Sequence, residues 1–88
     1  MELVGKVVAF TPLETGTSEK GSWARRQIVV KTLDQNPVHV AFTAMGLRLT
    51  EAEKFKEGDV VRIRFGVESR LSNNKWFSDI KLWQISEV

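Results

Sequence analysis

The sequence predicts an all-β fold, a barrel of five strands with one short helix between the third and fourth strands. Apolar and β-branched residues alternate with polar ones in several short runs, and turn-forming residues separate these runs. One stretch, Met45–Lys56, instead has its apolar residues at helical spacing. At 88 residues the chain is long enough for one domain, which we expect to span residues 1–88.

The first predicted strand is Glu2–Thr11, and it ends at Pro12, which has no N–H to donate to a neighbouring strand. Gly5 inside this strand indicates a bulge or a bend. The segment Leu13–Ser22 is dense in Gly, Ser and Thr. We therefore expect it to form a loop.

The second predicted strand, Trp23–Leu33, is the most informative stretch of the sequence. Successive side chains of a strand point to opposite faces. One face is apolar or β-branched from Ile28 onward, as a core-facing surface is. The other face combines an aromatic ring with cations and an amide, which suits flat bases and a phosphate backbone. The residues of this other face are Trp23, Arg25, Gln27, Val29 and Lys31.

The third predicted strand is Val38–Thr43, and the helix follows within Met45–Lys56. Thr50 and Glu53 have the spacing of a capping box at a helix start. Leucines upstream of this box also fit a helical turn, so the start of the helix is left open. We expect Gly58 to end the helix in a left-handed conformation.

The fourth predicted strand, Val60–Ser69, repeats the two-faced pattern of the second, with Arg62 and Arg64 on its polar face. The loop Arg70–Lys75 joins it to the last strand, Trp76–Ile85, in a hairpin. Apolar residues lie on both faces of this last strand. Either a bulge intervenes, or the strand is buried on both sides for part of its length.

The order of the elements is β-β-β-α-β-β, which is the order of the OB-fold, a five-stranded Greek-key barrel. OB-folds bind their ligands across strands two and three and the loops that join strands one to two and four to five. Both of those loops are polar in this sequence, since they correspond to Leu13–Ser22 and Arg70–Lys75.

Three segments, W-A-R-R-Q-I-V-V-K-T, N-N-K-W-F-S-D-I-K-L-W-Q-I and the opening G-K-V-V, resemble a family of short bacterial OB-fold proteins. This family is usually catalogued as a domain of unknown function and is similar to single-stranded DNA-binding proteins. The resemblance extends from Glu2 to about Ser86. It implies an OB-fold that binds single-stranded DNA, with Trp23 and the pair Trp76 and Phe77 at the aromatic positions.

The aromatic residues can serve either binding or packing. Trp23 either stacks on a base or packs at the end of the barrel or in a subunit contact. Trp76 and Phe77 point to opposite faces of the last strand, so we expect at most one to be a stacking platform and the other to lie in the core. Trp83 is expected in the core, because it lies in the apolar final strand.

The cations on the two polar strand faces are expected to form one continuous cationic surface, unless they are an ordinary solvated face with paired charges. Arg26 points to the opposite face of its strand and is expected at an edge or in an ion pair. Arg70 and Lys75 flank the last hairpin loop, where OB-folds hold nucleic acid. The predicted nucleic-acid-binding residues are Trp23, Arg25, Gln27, Lys31, His39, Arg62, Arg64, Arg70, Lys75, Trp76 and Phe77.

Several kinds of chemistry have no support in the sequence. The chain lacks cysteine, so disulfides and thiolate metal sites are excluded. His39 is the only histidine and has no recognisable partner for acid–base catalysis or metal binding, and no phosphate-binding loop is present. We therefore expect no enzymatic activity, no catalytic or metal-binding residues and no cofactor.

No apolar run approaches the ~20 residues that span a bilayer, and the N-terminus does not follow the plan of a signal peptide. A cytoplasmic protein without membrane contact is the expectation. The primary hypothesis is non-enzymatic binding of single-stranded nucleic acid, DNA in preference to RNA, with little sequence preference. The alternative is a protein–protein interaction or oligomeric assembly module, and a homo-oligomer is compatible with either hypothesis.

Overall fold

The computed structural model describes residues 1–88, which form six strands and one short helix. The helix, α1, lies between the fourth and fifth strands and spans Leu47–Ala52. The strands are β1 (Glu2–Phe10), β2 (Glu14–Ser18), β3 (Gly21–Thr32), β4 (His39–Met45), β5 (Val60–Ser72) and β6 (Lys75–Glu87).

Five of the strands close into a barrel. The order in the sheet is β1-β5-β6-β4-β3-β2, and β1 also pairs with β3, which closes the ring and leaves β2 as an outer extension of β3. The pairing of β4 with β6 is parallel, through Thr43 and Lys81, whereas every other pairing is antiparallel. This is the OB-fold arrangement, with α1 between the third and fourth barrel strands, and it confirms the predicted fold class.

The core is a single cluster of eleven buried apolar residues inside the barrel. Ile28 and Val30 of β3 and Val61 and Ile63 of β5 are each 0% exposed, which confirms the inward faces predicted for these two strands. Phe42 of β4 lies fully buried among them. Burial of a Val, Ile or Phe side chain stabilises a fold by roughly 1.5–3 kcal/mol, so this cluster is the main source of stability.

The segment predicted as the loop Leu13–Ser22 is largely a strand ribbon. Glu14–Ser18 forms β2 and pairs residue by residue with the start of β3. The ribbon turns at Gly21, whose φ of 117° lies in the region that favours glycine. The prediction of a loop was wrong here because short Thr- and Gly-rich strands are stabilised by their partner, not by their own composition.

Helix α1 begins earlier than the predicted capping box. Its N-cap is Gly46, with a φ of 59° and no side-chain hydrogen bond. Thr50 therefore lies within the helix, and the carboxylate of Glu53 pairs with Arg26 instead of capping. The capping-box prediction was wrong. The left-handed conformation expected at Gly58 is present, with a φ of 97°, but the helix already ends at Ala52, so Gly58 lies in the turn before β5 and does not end the helix.

The β5–β6 ribbon extends well past the barrel. Each strand has 13 residues, and from Val67 to Ile80 the ribbon pairs with no third strand. Asn73 and Asn74 form its turn, both with positive φ.

This geometry corrects two predictions about aromatic residues. Trp76 and Phe77 are 71% and 50% exposed, so neither lies in the core, because the tip of the ribbon has no core beneath either face. Trp83 is 55% exposed and is not a core residue either. The register moves from Arg64–Gln84 to Phe65–Leu82, so a bulge leaves Trp83 without an opposite residue and resolves the alternative left open for the last strand.

Candidate nucleic-acid interface

An open groove of about 540 Å³ lies between the β5–β6 ribbon and the start of β3. Its floor includes Gln27 and Thr43, which are register partners on β3 and β4. These residues neighbour the fully buried Ile28 and Phe42 in sequence, so their side chains point away from the core. The groove therefore lies on the outer surface of the barrel strands with which OB-folds bind ligands.

The groove is lined by charges of both signs and by few apolar groups. Its cations outnumber its acids by one, since it contains four of the former and three of the latter. These residues are Arg25, Arg26, Arg70 and Lys81, and Glu14, Glu68 and Asp79.

Ion pairs position most of the groove cations. Arg25 Nε lies 2.7 Å from Glu14 Oε2, across the β2–β3 ribbon. Lys81 Nζ lies 2.8 Å from Glu68 Oε2, across the β5–β6 ribbon. Because all four side chains are between 44% and 67% exposed, these pairs contribute little to the stability of the fold.

Arg26 is held by two contacts. Its Nη1 lies 2.9 Å from Glu53 Oε2, and its Nε donates a hydrogen bond of 2.9 Å to the carbonyl of Thr11. This confirms the ion pair expected for a residue on the inward side of its strand. Arg70 is the one groove cation without an ion pair.

The carboxylate of Glu68 stabilises the protonated form of Lys81. The hydrogen bond from Lys81 to Glu68, and then the Coulomb attraction between them, raise the pKa of Lys81 above its ordinary value of 10.5. The shift adds to a preference that lysine already has, since its ordinary pKa keeps it protonated at neutral pH. Asp79 lies directly opposite Glu68, and this unfavourable like-charge pair is offset by Lys81 and by the hydroxyl of Thr43.

One side-chain hydrogen bond holds the ribbon against the barrel, and another links the two strands of the ribbon. Thr43 Oγ1 donates to Asp79 Oδ1 at 2.9 Å and thus joins β4 to β6 at the groove floor. Farther out, the hydroxyls of Ser69 and Ser78 lie 3.0 Å apart across the ribbon. These contacts preset the shape of the groove before any ligand is bound.

Four of the predicted binding residues line the groove: Arg25, Gln27, Arg70 and Phe77. Trp23 lies beside it, in a shallow concavity of the β2–β3 ribbon, where its indole covers Gly16 closely enough that a Cβ there would collide with the ring. The guanidinium of Arg25 lies 5.2 Å from the centroid of that indole. Part of the ring surface of Trp23 is therefore already in contact with protein.

The other predicted residues lie outside the groove. Lys75 and Trp76 are at the tip of the ribbon. Trp76 is the register partner of Leu71, on the face of the ribbon opposite that of Phe77. Lys31 and His39 are register partners at the far end of β3.

Arg62 and Arg64 lie on β5 opposite β1, and Arg62 pairs with Glu2 at 3.2 Å. Arg25 alone of the four strand cations lines the groove, whereas Lys31, Arg62 and Arg64 flank β1. The structure does not bring them together into the one continuous surface expected from the sequence.

Sequence reasoning missed Lys81 as a groove residue. The alternation of Phe77, Asp79 and Lys81 along β6 was a usable signal, but the bulge at Trp83 obscured which face it belonged to. Arg26 is not among the predicted binding residues, because alternation along its strand points its side chain to the inward face. It still lines the groove, since the barrel ends at this point and the side chain reaches Glu53.

Two further observations concern metal ions and membrane-spanning helices. No three His, Cys, Asp or Glu side chains lie close enough together to hold a metal ion. No helix has the length and apolar character needed to cross a membrane.

Comparison with known proteins gives structural matches and a family match. The structure is similar to the crystal structure of a small single-stranded DNA-binding protein from Streptomyces coelicolor, with 17% sequence identity and a TM-score of 0.48, over 100% of this chain and 92% of that chain. No curated protein sequence matches. The family match is a family model over residues 2–86, and it confirms the resemblance predicted from the sequence. The chain therefore belongs to the family described as Domain of unknown function (DUF3127).

Proposed function

We propose that this protein is a non-enzymatic module that binds single-stranded nucleic acid, DNA in preference to RNA, in the groove between the β5–β6 ribbon and β3. The observation that supports this most directly is the position of the groove on the ligand-binding strands of an OB-fold, with cations along it and the exposed ring of Phe77 beside them. Such a ligand is available in the cytoplasm of a bacterial cell, which is where we place the protein.

Arg70 would bind a phosphate at the lowest energetic cost, because it has no ion-pair partner to give up. Arg25 and Lys81 would exchange Glu14 and Glu68 for phosphate oxygens. These exchanges are inexpensive, since exposed ion pairs contribute little to stability, whereas charge-assisted hydrogen bonds to phosphate are strong.

Bases would stack on the exposed aromatic rings of the ribbon. Phe77 supplies such a ring inside the groove, whereas Trp76 lies at the tip on the opposite face of the ribbon. A stacked base contributes about 1–3 kcal/mol by alanine substitution, and every base has a ring face, so sequence preference should be slight. The side chains of Gln27 and Thr43 supply polar contacts on the floor of the groove.

The near balance of charge predicts a moderate salt dependence. If Arg25, Arg70 and Lys81 each neutralise one phosphate, the slope of log K against log[salt] is about −2, at about −0.7 per phosphate for single strands. Fluorescence anisotropy with a labelled oligo-dT of sixteen nucleotides, at several salt concentrations, measures this slope.

Arg70→Gln tests the site directly. A lost charge-assisted contact lowers affinity by about tenfold and makes the salt slope shallower by about 0.7. Arg48→Gln is the matched control, because Arg48 is an exposed arginine on α1 outside the groove. The absence of saturable binding at low salt by the folded protein would contradict the proposal.

The alternative function, an interaction or assembly module, is favoured by one specific feature. Val67, Leu71 and Trp76 are 48%, 57% and 71% exposed on the same face of the β5–β6 ribbon, which is the face opposite that of Arg70 and Phe77. Light scattering with chromatography gives the molar mass in solution. A stable oligomer whose Trp76 fluorescence is shielded from quencher, together with no binding of oligo-dT, would favour this alternative.

A further inference from the structure

The outer face of the β5–β6 ribbon continues from the groove onto the wall of the barrel. Val61 and Ile63 of β5 point inward and are 0% exposed, so alternation places Arg62, Arg64 and Gly66 on the outer side. The same side carries Glu68 and Arg70 farther along, and both of these line the groove. One strand face thus joins the groove to a region that the proposed function leaves unused.

Trp83 lies on this outer face. The bulge leaves it unpaired, and its indole covers Gly66 so closely that a Cβ on Gly66 would collide with the ring. Gly66 is buried, yet Trp83 remains 55% exposed. One side of the indole therefore contacts the backbone of β5, while more than half of the residue is open to solvent. An aromatic ring supported on one side and open on the other is the geometry on which bases of single strands stack.

Cations flank this ring on both sides. Lys81, which lines the groove, is the register partner of Gly66 and precedes Trp83 by two residues. Arg64 precedes Gly66 by two residues on the same face and makes no ion pair. The order along the ribbon is therefore groove cation, exposed indole, unpaired cation. Phosphates and a base of one strand alternate in the same way.

We propose that Trp83 and Arg64 form a second contact point for single-stranded nucleic acid outside the groove. A strand that leaves the groove at Lys81 stacks one base on Trp83 and places a neighbouring phosphate on Arg64. This inference rests on the proposed function and extends it, because it assigns a binding role to Trp83 and a longer footprint to the protein. OB-fold site sizes range from about 4 to 16 nucleotides, which leaves room for the second contact.

The experiment compares binding of oligo-dT of four and of sixteen nucleotides by anisotropy at low salt. Trp83→Ala is expected to lower affinity for the longer oligomer by about tenfold, and by clearly less for the shorter one, because only the longer one spans both contacts. Trp83→Phe, which keeps a ring, is expected to restore most of that loss. Arg64→Gln is expected to make the salt slope shallower by about 0.7 for the longer oligomer. Arg48→Gln serves again as the control.

Phe77→Ala distinguishes the groove from the second contact, since it removes a groove contact and should weaken binding of both oligomers. If Phe77→Ala weakens binding while Trp83→Ala and Arg64→Gln leave the longer oligomer bound as tightly as before, the second contact is wrong and the groove stands. If the wild-type protein binds neither oligomer, both proposals are wrong. Circular dichroism and a thermal melt confirm that each variant is folded. If Trp83→Ala does not fold, Arg64→Gln and Trp83→Phe still test the second contact. An unchanged salt slope for Arg64→Gln overturns the inference.

Discussion

In each of the two ribbons beside the groove a tryptophan covers a glycine, but the two tryptophans differ in exposure. In the β2–β3 ribbon, Trp23 covers Gly16, and in the β5–β6 ribbon, Trp83 covers Gly66. Trp23 is half-buried and has the guanidinium of Arg25 over its ring, whereas Trp83 is 55% exposed. A tryptophan over a glycine thus protects backbone in both places, but only the second leaves most of its surface to a ligand.

The ribbons also differ in length and in support. β2 pairs with β3 over five residue pairs, whereas β5 pairs with β6 over twelve. The longer ribbon carries all three highly exposed aromatic side chains of the protein, Trp76, Phe77 and Trp83. We therefore expect stacking to depend mainly on β5–β6, while β2–β3 contributes Arg25 and the edge of the groove.

The largest difference is expected when alanine replaces the two covered glycines. Gly66 is buried in the barrel wall, so a methyl group must displace Trp83 or the strand, and Gly66→Ala should lower the free energy of unfolding by about 1–3 kcal/mol. Gly16 lies on an outer ribbon from which Trp23 can swing away, so Gly16→Ala should cost less than about 1 kcal/mol. Urea denaturation of both variants measures this. Equal losses would mean that the two tryptophans are held equally firmly.

The next difference concerns binding. Phe77→Ala should lower affinity for a sixteen-nucleotide oligo-dT by about tenfold, since it removes an exposed ring from the groove. Trp23→Ala should lower it by less than about threefold, because part of its indole already contacts Gly16 and Arg25. Anisotropy titrations compare the two variants at one salt concentration. A larger loss for Trp23→Ala would transfer the main stacking role to the β2–β3 ribbon.

The smallest effect is expected from an acid of the groove. Glu68→Gln removes a negative charge from the proposed path of the phosphates and frees Lys81, which should raise affinity by about two- to fivefold at low salt. The pKa of Lys81 should also fall back toward its ordinary value, because Glu68 is the main cause of its increase. Titrations at low and high salt test this, since screening should abolish the gain. A loss of affinity would show that Glu68 positions Lys81 for binding.

Local alternation, together with the order of the elements, was enough to predict the barrel. The buried faces at Ile28 and Val30, and at Val61 and Ile63, follow directly from period-two patterns, and they fix which side of each strand faces solvent. The turn at Asn73 and Asn74 could also be predicted from the sequence, since both residues tolerate positive φ.

What could not be predicted depends on partners that are distant in the sequence. β2 exists because β3 pairs with it, and its own composition is that of a loop. Trp83 was assigned to the wrong side because a one-residue bulge is visible only in the register with β5. The candidate site was predicted in part, since Arg25, Gln27, Arg70 and Phe77 line the groove, whereas the place of Lys81 depended on the same register.

The single parallel register pair, Thr43 with Lys81, has a consequence for cooperativity. This β4–β6 seam has the fewest register pairs of any strand pairing in the ring, and one side-chain hydrogen bond, from Thr43 to Asp79, joins the two strands. Amide hydrogen exchange in β4 and β6 should therefore report opening of this seam at a lower free energy than global unfolding. Because the seam lies in the floor of the groove, a bound strand that crosses it would hold the barrel shut. Ligand binding and closure of the seam would then be thermodynamically linked. The linkage would be visible as slower amide hydrogen exchange in β4 and β6 without any change of fold.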